Sequence, residues 1–352
     1  MTVFACATCD AVLSTPLSQV ALPAHARQTW GHGLLPVLME AGSYAVDPEP
    51  FGPPWRSWNE VDEDEAAARG VFAPVDSLPF GDPGTIVVAP GDTRGTVLIP
   101  ERCDGYCCGL DGRDGPNLAC EHCGQPVATR IDDCSLWQAV RFAPRAVRRI
   151  PTGDPAPQAA DWQALATEVH PTPPVGPSGA WSPQWAAAAG VALAHLLAAS
   201  DGTPVTVPDG LAAETLRRTL DTLLPQEPPA KTAALAGPGL LTPGPALDIL
   251  LVPQHPRTGE AWQPSSSART VPLPADVWTH LAFHQERLPV PAAGGLPAGV
   301  IRDDPLPMHP WSVFRPDWGV FLYTLARLPA VRQPWLRRIY DRVKDHPYAR
   351  PF

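Results

Sequence analysis

Lysine is nearly missing from this chain: Lys231 and Lys344 are the only two in 352 residues, and the other basic side chains are arginines. With Ala and Pro so frequent, the usage is that of a GC-rich bacterial genome. No Gly-x-x-x-x-Gly-Lys and no Gly-x-Gly-x-x-Gly occurs, which removes the usual phosphate-cradling loops. Ser265 to Ser267 lack the Gly-x-Ser-x-Gly context of a nucleophile elbow. Pro and Gly interrupt every apolar stretch before 18 residues, so no membrane-spanning helix is expected. The start, MTVFACATCD, has no basic run followed by an apolar segment, so no secretory signal is expected and a cytoplasmic location is.

Charge is scarce too, at 18% of residues, and unevenly signed. Residues 1–150 carry 11 basic and 19 acidic side chains, within a net charge of −10 for the whole chain. Such a first half repels a phosphate backbone, which disfavours nucleic acid as a partner. What is abundant is proline, 47 residues, well over twice the roughly 5% of ordinary proteins. It predicts short elements and long ordered loops. At 44% apolar residues with 12 Trp, the chain is long enough for two folded domains.

Eight cysteines in a reducing compartment point to metal or redox chemistry rather than disulfides. Six lie between Cys103 and Cys134, and Cys6 and Cys9 form a second Cys-x-x-Cys beside that of Cys120 and Cys123. Cys-x-x-Cys offers two thiolates to one ion because its turn aims both side chains the same way. Gly124 supplies the positive φ that completes such a turn. Cys107 and Cys108 are adjacent, so their side chains are expected to diverge and not to share an ion. Two arrangements follow. In the first, Cys6, Cys9, Cys120 and Cys123 form one site, leaving Cys103, Cys107, Cys108 and Cys134 for a second site or for burial. In the other, Cys120 and Cys123 combine with two of those four. One or two structural zinc ions are expected, since all-thiolate ligation leaves no open position for catalysis. An iron–sulfur cluster would use the same thiolates, and a zinc-thiolate redox switch would suit an exposed Cys107–Cys108 pair. His122, inside the second knuckle, reads as a surface residue.

The knuckles FACATCDAVL and LACEHCGQPV resemble those of zinc-ribbon proteins, over some 20 of 352 residues and with more than 100 residues between them. The resemblance implies a structural metal and no activity.

Between the cysteines, Asp111, Arg113, Asp114 and Asn117 stand among Gly109, Gly112 and Gly115. They read as turn caps, or as an exposed recognition loop. They are also the place for a site if the chain is an enzyme of unrecognised type, together with His280 and His284, which stand one helical turn apart and could grip a metal with Glu286 nearby.

The fold expected is α+β: a β-rich, metal-stapled domain over 1–150, a Pro-rich linker or strap over 151–180, and a small α/β domain over 181–352. Thr85–Val88 and Thr96–Ile99 predict a hairpin, and Glu60–Glu65 a solvated helix start. PVATRI and LWQAVRF predict strands, and Asp161–Glu168 one helical turn. In the second half, helices are expected at 183–200, 211–224, 275–287, 317–328 and 332–344, with strands at 205–207 and 247–252. The last helix should bury Trp335, Ile339, Tyr340 and Val343, leaving its arginines for an acidic surface. The function class expected is a zinc-binding module acting by protein–protein contact.

Overall fold

The computed structural model describes residues 1–29, 31–33, 35–103, 105, 107–153, 162, 169–176, 179–240, 247–284, 287–288, 299, 310 and 312–345. The fold is mixed α and β. It divides into two compact units, Met1–Ala160 with Pro256–Gly259, and Asp161–His255 with Glu260–Phe352. No described helix is long and apolar enough to cross a membrane.

The first unit is built on a seven-stranded sheet in the order β2 (Ser18–Gln19), β3 (Ser43–Asp47), β6 (Thr85–Val88), β10 (Ala139–Phe142), β9 (Pro126–Ile131), β8 (Leu118–Cys120), β7 (Thr96–Leu98). Side chains alternate between the faces of a strand. Tyr44, Ile86, Val88, Val140 and Phe142 therefore share one apolar cluster, while Ala45, Val87 and Ala139 share another with Leu35, Leu38 and Trp137. The first cluster is closed by a two-stranded ribbon of β1 (Thr2–Cys6) and β11 (Val147–Pro151), whose Phe4 packs edge-on to Tyr44 at 5.1 Å.

The second face continues into a buried ion network at Asp47, Thr85 and Arg141, the next alternate residue on three adjacent strands. Asp47, fully buried, accepts from Arg141 at 2.6 Å and Arg27 at 2.5 Å, and the Arg141 guanidinium lies over Phe51. A side lobe pairs β4 (Trp55–Ser57) with β5 (Ser77–Pro79) around Val61, Ala66, Val71 and Leu78. The acidic run starts its helix α1 (Glu63–Ala68), with Asp62 capping the Asp64 N–H.

The hairpin expected from Thr85–Val88 and Thr96–Ile99 does not form. β6 lies between β3 and β10, and β7 pairs with β8 at the edge of the sheet. All four residues of β6 are buried, so it needs a partner on each side. Asp92 holds the intervening loop elsewhere: it is buried and accepts from Thr15 Oγ1 at 2.7 Å and the Gly42 N–H at 2.8 Å.

In the second unit four parallel strands run in sequence order: β12 (Val205–Thr206), β13 (Lys231–Leu235), β14 (Ile249–Gln254) and β15 (Arg269–Pro274). Helix α2 (Pro183–Ser200) starts at a Ser182 cap followed by Pro, buries 13 of its 18 residues and exposes none. A Cβ on Gly190 would lie 2.6 Å from the Asp317 carbonyl, so glycine is what lets α5 (Trp318–Ala326) approach. At the far end of α2, Asp201 takes the αL conformation and accepts from Lys231 Nζ at 2.7 Å and Arg269 Nη1 at 3.0 Å. Chiefly through Lys231, that contact holds its carboxyl below the usual range.

Helix α3 (Leu211–Leu223) crosses from β12 to β13. Helix α4 (Ala275–Phe283) ends four residues before the expected Arg287, with His284 already extended. The last helix, α6 (Pro334–Asp345), buries Leu336, Ile339, Tyr340 and Val343; Leu336 takes the place expected of Trp335, whose half-buried ring covers Gly202 instead. Of the helical turn expected at Asp161–Glu168, all but Trp162 lies outside the described residues.

Candidate metal centres

Each Cys-x-x-Cys begins on the last residue of a strand, Cys6 on β1 and Cys120 on β8. The two turns share one backbone pattern. The Cys6 N–H donates to the Ala11 carbonyl and the Cys120 N–H to that of Gln125, both at 2.8 Å. The Asp10 N–H returns to the Cys6 carbonyl at 3.0 Å, and the Gly124 N–H to that of Cys120 at 2.8 Å. Both turns close on a left-handed residue: Gly124 at φ +74°, as the sequence suggests, and Asp10 at φ +61°. Asp, like Asn, tolerates that region better than most residues, and its carboxylate is paired with Arg148.

The folded chain brings the knuckles face to face. The ligand atoms of Cys6, Cys9, Cys120 and Cys123 all lie within 4.8 Å of one another, with Cys6 Sγ to Cys123 Sγ and Cys9 Sγ to Cys120 Sγ each 3.6 Å. A disulfide requires about 2.05 Å. Sulfurs about 2.3 Å from one tetrahedral zinc stand about 3.8 Å apart. The quartet can therefore hold a metal ion. Cys6 and Cys120 are part of the apolar core, Cys9 is half-buried and Cys123 exposed.

Burial pushes the Cys6 thiol up, but hydrogen bonds from the Thr8 and Cys9 backbone and from Cys123 outweigh it and bring it down to about 7. Cys9 goes the other way. The Ala11 backbone lowers it, yet burial and the crowding of Cys123, Cys120 and Cys6 push it up to about 12. A cation relieves that crowding, so metal binding displaces protons.

A second group can also hold a metal: the ligand atoms of Cys107, Cys108, Asp133 and Cys134 lie within 4.8 Å of one another. The expected divergence of Cys107 and Cys108 does not hold, because their backbone turns at this point and both side chains reach the same cluster. Cys107 Sγ is 3.5 Å from Cys134 Sγ. The Nδ1 atom of His32, a residue that carries no metal motif, lies 3.6 Å from both sulfurs. Cys107 and Cys108 are exposed and Cys134 is buried. Chiefly because of Cys108, with burial next, the Cys134 thiol rises to about 12. Cys103 stands apart, its thiol donating to the Ile99 carbonyl at 3.1 Å.

Gly109 is fixed by space, since a Cβ there would meet the Asp132 carbonyl at 1.9 Å. Leu110 and Asp132 exchange backbone hydrogen bonds of 3.0 and 2.8 Å beside it. In the adjoining loop, Asp111 caps the Arg113 N–H at 2.8 Å, with Gly112 and Gly115 at positive φ. Asn117 is buried, donating to the Arg130 carbonyl and accepting its N–H in the manner of one more strand residue. Its side chain is therefore not offered to a partner, whereas Arg113 and Asp114 are exposed. His122 is exposed.

His280 and His284 belong to the second unit. Their rings stack at 4.1 Å and 5°, which directs their nitrogens along parallel planes rather than to one point, and His280 is buried against Trp185. Glu286 lies outside the described residues. Compared with family models, curated proteins and solved structures, the chain matches none.

Proposed function

We propose that Cys6, Cys9, Cys120 and Cys123 hold one structural zinc ion in the manner of a zinc ribbon, and that the chain is a cytoplasmic binding or regulatory module working through protein–protein contact. The observation that carries this reading is the convergence of four sulfurs from two like-shaped knuckles, with opposed pairs at 3.6 Å. Four thiolates fill a tetrahedral zinc shell, which suits a structural ion rather than one that must admit water. Zinc fits the ligand set and needs no electron transfer. The ion joins β1 to β8 across more than 100 residues of sequence and so fastens the β1–β11 ribbon onto the sheet.

Support for protein contact comes from β7, the last strand of the sheet, where Val97 and Leu98 are 45% and 47% exposed. An exposed strand edge can accept an added strand from a partner. Metal analysis of the full chain purified without added metal, with a parallel thiol titration, tests the zinc reading. Bound zinc lost on Cys123→Ser supports it; eight freely reactive thiols and no bound metal would overturn it.

A further inference from the structure

We infer that the first unit holds a second zinc ion, bound by the thiolates of Cys107, Cys108 and Cys134 and by Nδ1 of His32, with Asp133 shaping the loop and not ligating. The inference is separate from the reading of the knuckle quartet and stands on different residues.

Three of the four atoms already form one face of a tetrahedron. Cys107 Sγ, Cys134 Sγ and His32 Nδ1 are separated by 3.5, 3.6 and 3.6 Å, a nearly equilateral triangle. Around zinc with Zn–S about 2.3 Å and Zn–N about 2.05 Å, the tetrahedral edges come to about 3.8 Å between sulfurs and 3.6 Å between sulfur and nitrogen. The fourth corner falls to Cys108, whose sulfur shares the 4.8 Å cluster with those of Cys107 and Cys134.

Asp133 shares that cluster too, but its oxygens are occupied. Oδ2 accepts from the N–H groups of Cys108 and Gly109 at 3.2 and 3.1 Å, and Oδ1 from the N–H and hydroxyl of Ser135 at 3.1 and 3.0 Å. Two donors on each oxygen use up a carboxylate's lone pairs. Asp133 thus bridges the Cys107–Gly109 turn to the Cys134 limb and places the sulfurs. This is the outer-shell role that commonly orients metal ligands.

Binding displaces the three thiol protons and leaves a centre of net charge −1, from Zn²⁺, three thiolates and a neutral imidazole. Two of its sulfurs are exposed, whereas two in the knuckle quartet are buried in the core. The second ion should therefore exchange and be chelated first.

The test uses the full chain with zinc analysis and cobalt(II) as a spectroscopic probe. Wild type should hold two equivalents, and a mild chelator should remove one of them ahead of the other. His32→Ala should hold one equivalent and lose the part of the cobalt visible band that comes from a three-sulfur, one-nitrogen site. Asp133→Asn should still take up two cobalt ions at saturation, with affinity for the second reduced by about 10–100-fold. Cys103→Ser should change neither stoichiometry nor spectrum. A wild type with a single ion lost on Cys123→Ser would overturn this inference while leaving the knuckle site standing. Two ions with an unchanged spectrum in His32→Ala, or loss of the second ion in Asp133→Asn but not in His32→Ala, would also overturn it.

Discussion

In the first unit the sheet surrounds two thiols and a buried Arg27–Asp47–Arg141 network; in the second, a long helix with no exposed residue lies against parallel strands with an apolar interior. Strand length does not separate them, since strands run from two to six residues in both units. The helices do: among its described residues the first unit has only one α-helix, α1, six residues long, so its sheet is covered by loops and short strands. Such a sheet gains from cross-links between points remote in sequence. The second unit draws on β14 and α2, continuous apolar segments that bury themselves by area alone.

The largest break in that comparison should come from removing metal. A strong chelator, or Cys120→Ser, should abolish the thermal transition of the first unit and leave that of the second. Structural zinc binding is worth about 10–16 kcal/mol in small zinc peptides, and binding energy of this kind is folding energy. A scan followed by circular dichroism would show it, and a chelator that left both transitions in place would show that the sheet stands without metal.

Next comes Asp47→Ala, which removes the fully buried carboxylate that two guanidinium groups share. Breaking a buried pair on one side costs about 3–5 kcal/mol, and denaturant melts should place the loss in the first unit. In the second unit the matching disruption is apolar. Leu251→Ala, at a fully buried position of β14, should cost about 2–5 kcal/mol, with the first unit and its metal content unchanged.

The smallest effect is one of pH. His25 packs its ring on Trp137 at 4.3 Å, and burial lowers its pKa to about 4. Its unfolded value is about 6.5, so below that pH the unfolded chain takes the proton more readily than the folded one. The contribution is complete above about pH 6.5 and is lost as pH falls toward 4. The drop in melting temperature of the first unit between pH 7 and 4.5 should be smaller in His25→Gln than in wild type. Because metal loss in acid is common to both, the difference between the two proteins isolates the histidine.

Local pattern made the second half readable: Ser182-Pro183 before an alanine-rich run marks α2, leucines at helical spacing mark α3, and an apolar run among prolines marks β14. Each depends on neighbours a few residues away. The hairpin of Thr85–Val88 with Thr96–Ile99 failed because adjacency in sequence stood in for pairing, while β6 was claimed from both sides by β3 and β10. His32 had no signal of its own, since it lies 75 residues from Cys107 and 102 from Cys134. Its flanking glycines were the only hint, and glycines are common in this chain.

What the sequence determined by itself was the ligand type and the shape of each knuckle, because a four-residue turn and the positive φ after it are local matters. Which knuckle faces which was decided by tertiary structure, as was the choice of Cys134 over Cys103. So was the meeting of the His32 imidazole with the thiols of Cys107 and Cys134. Those depend on strand order and on which buried groups already have partners, and both are settled only when distant segments share one core.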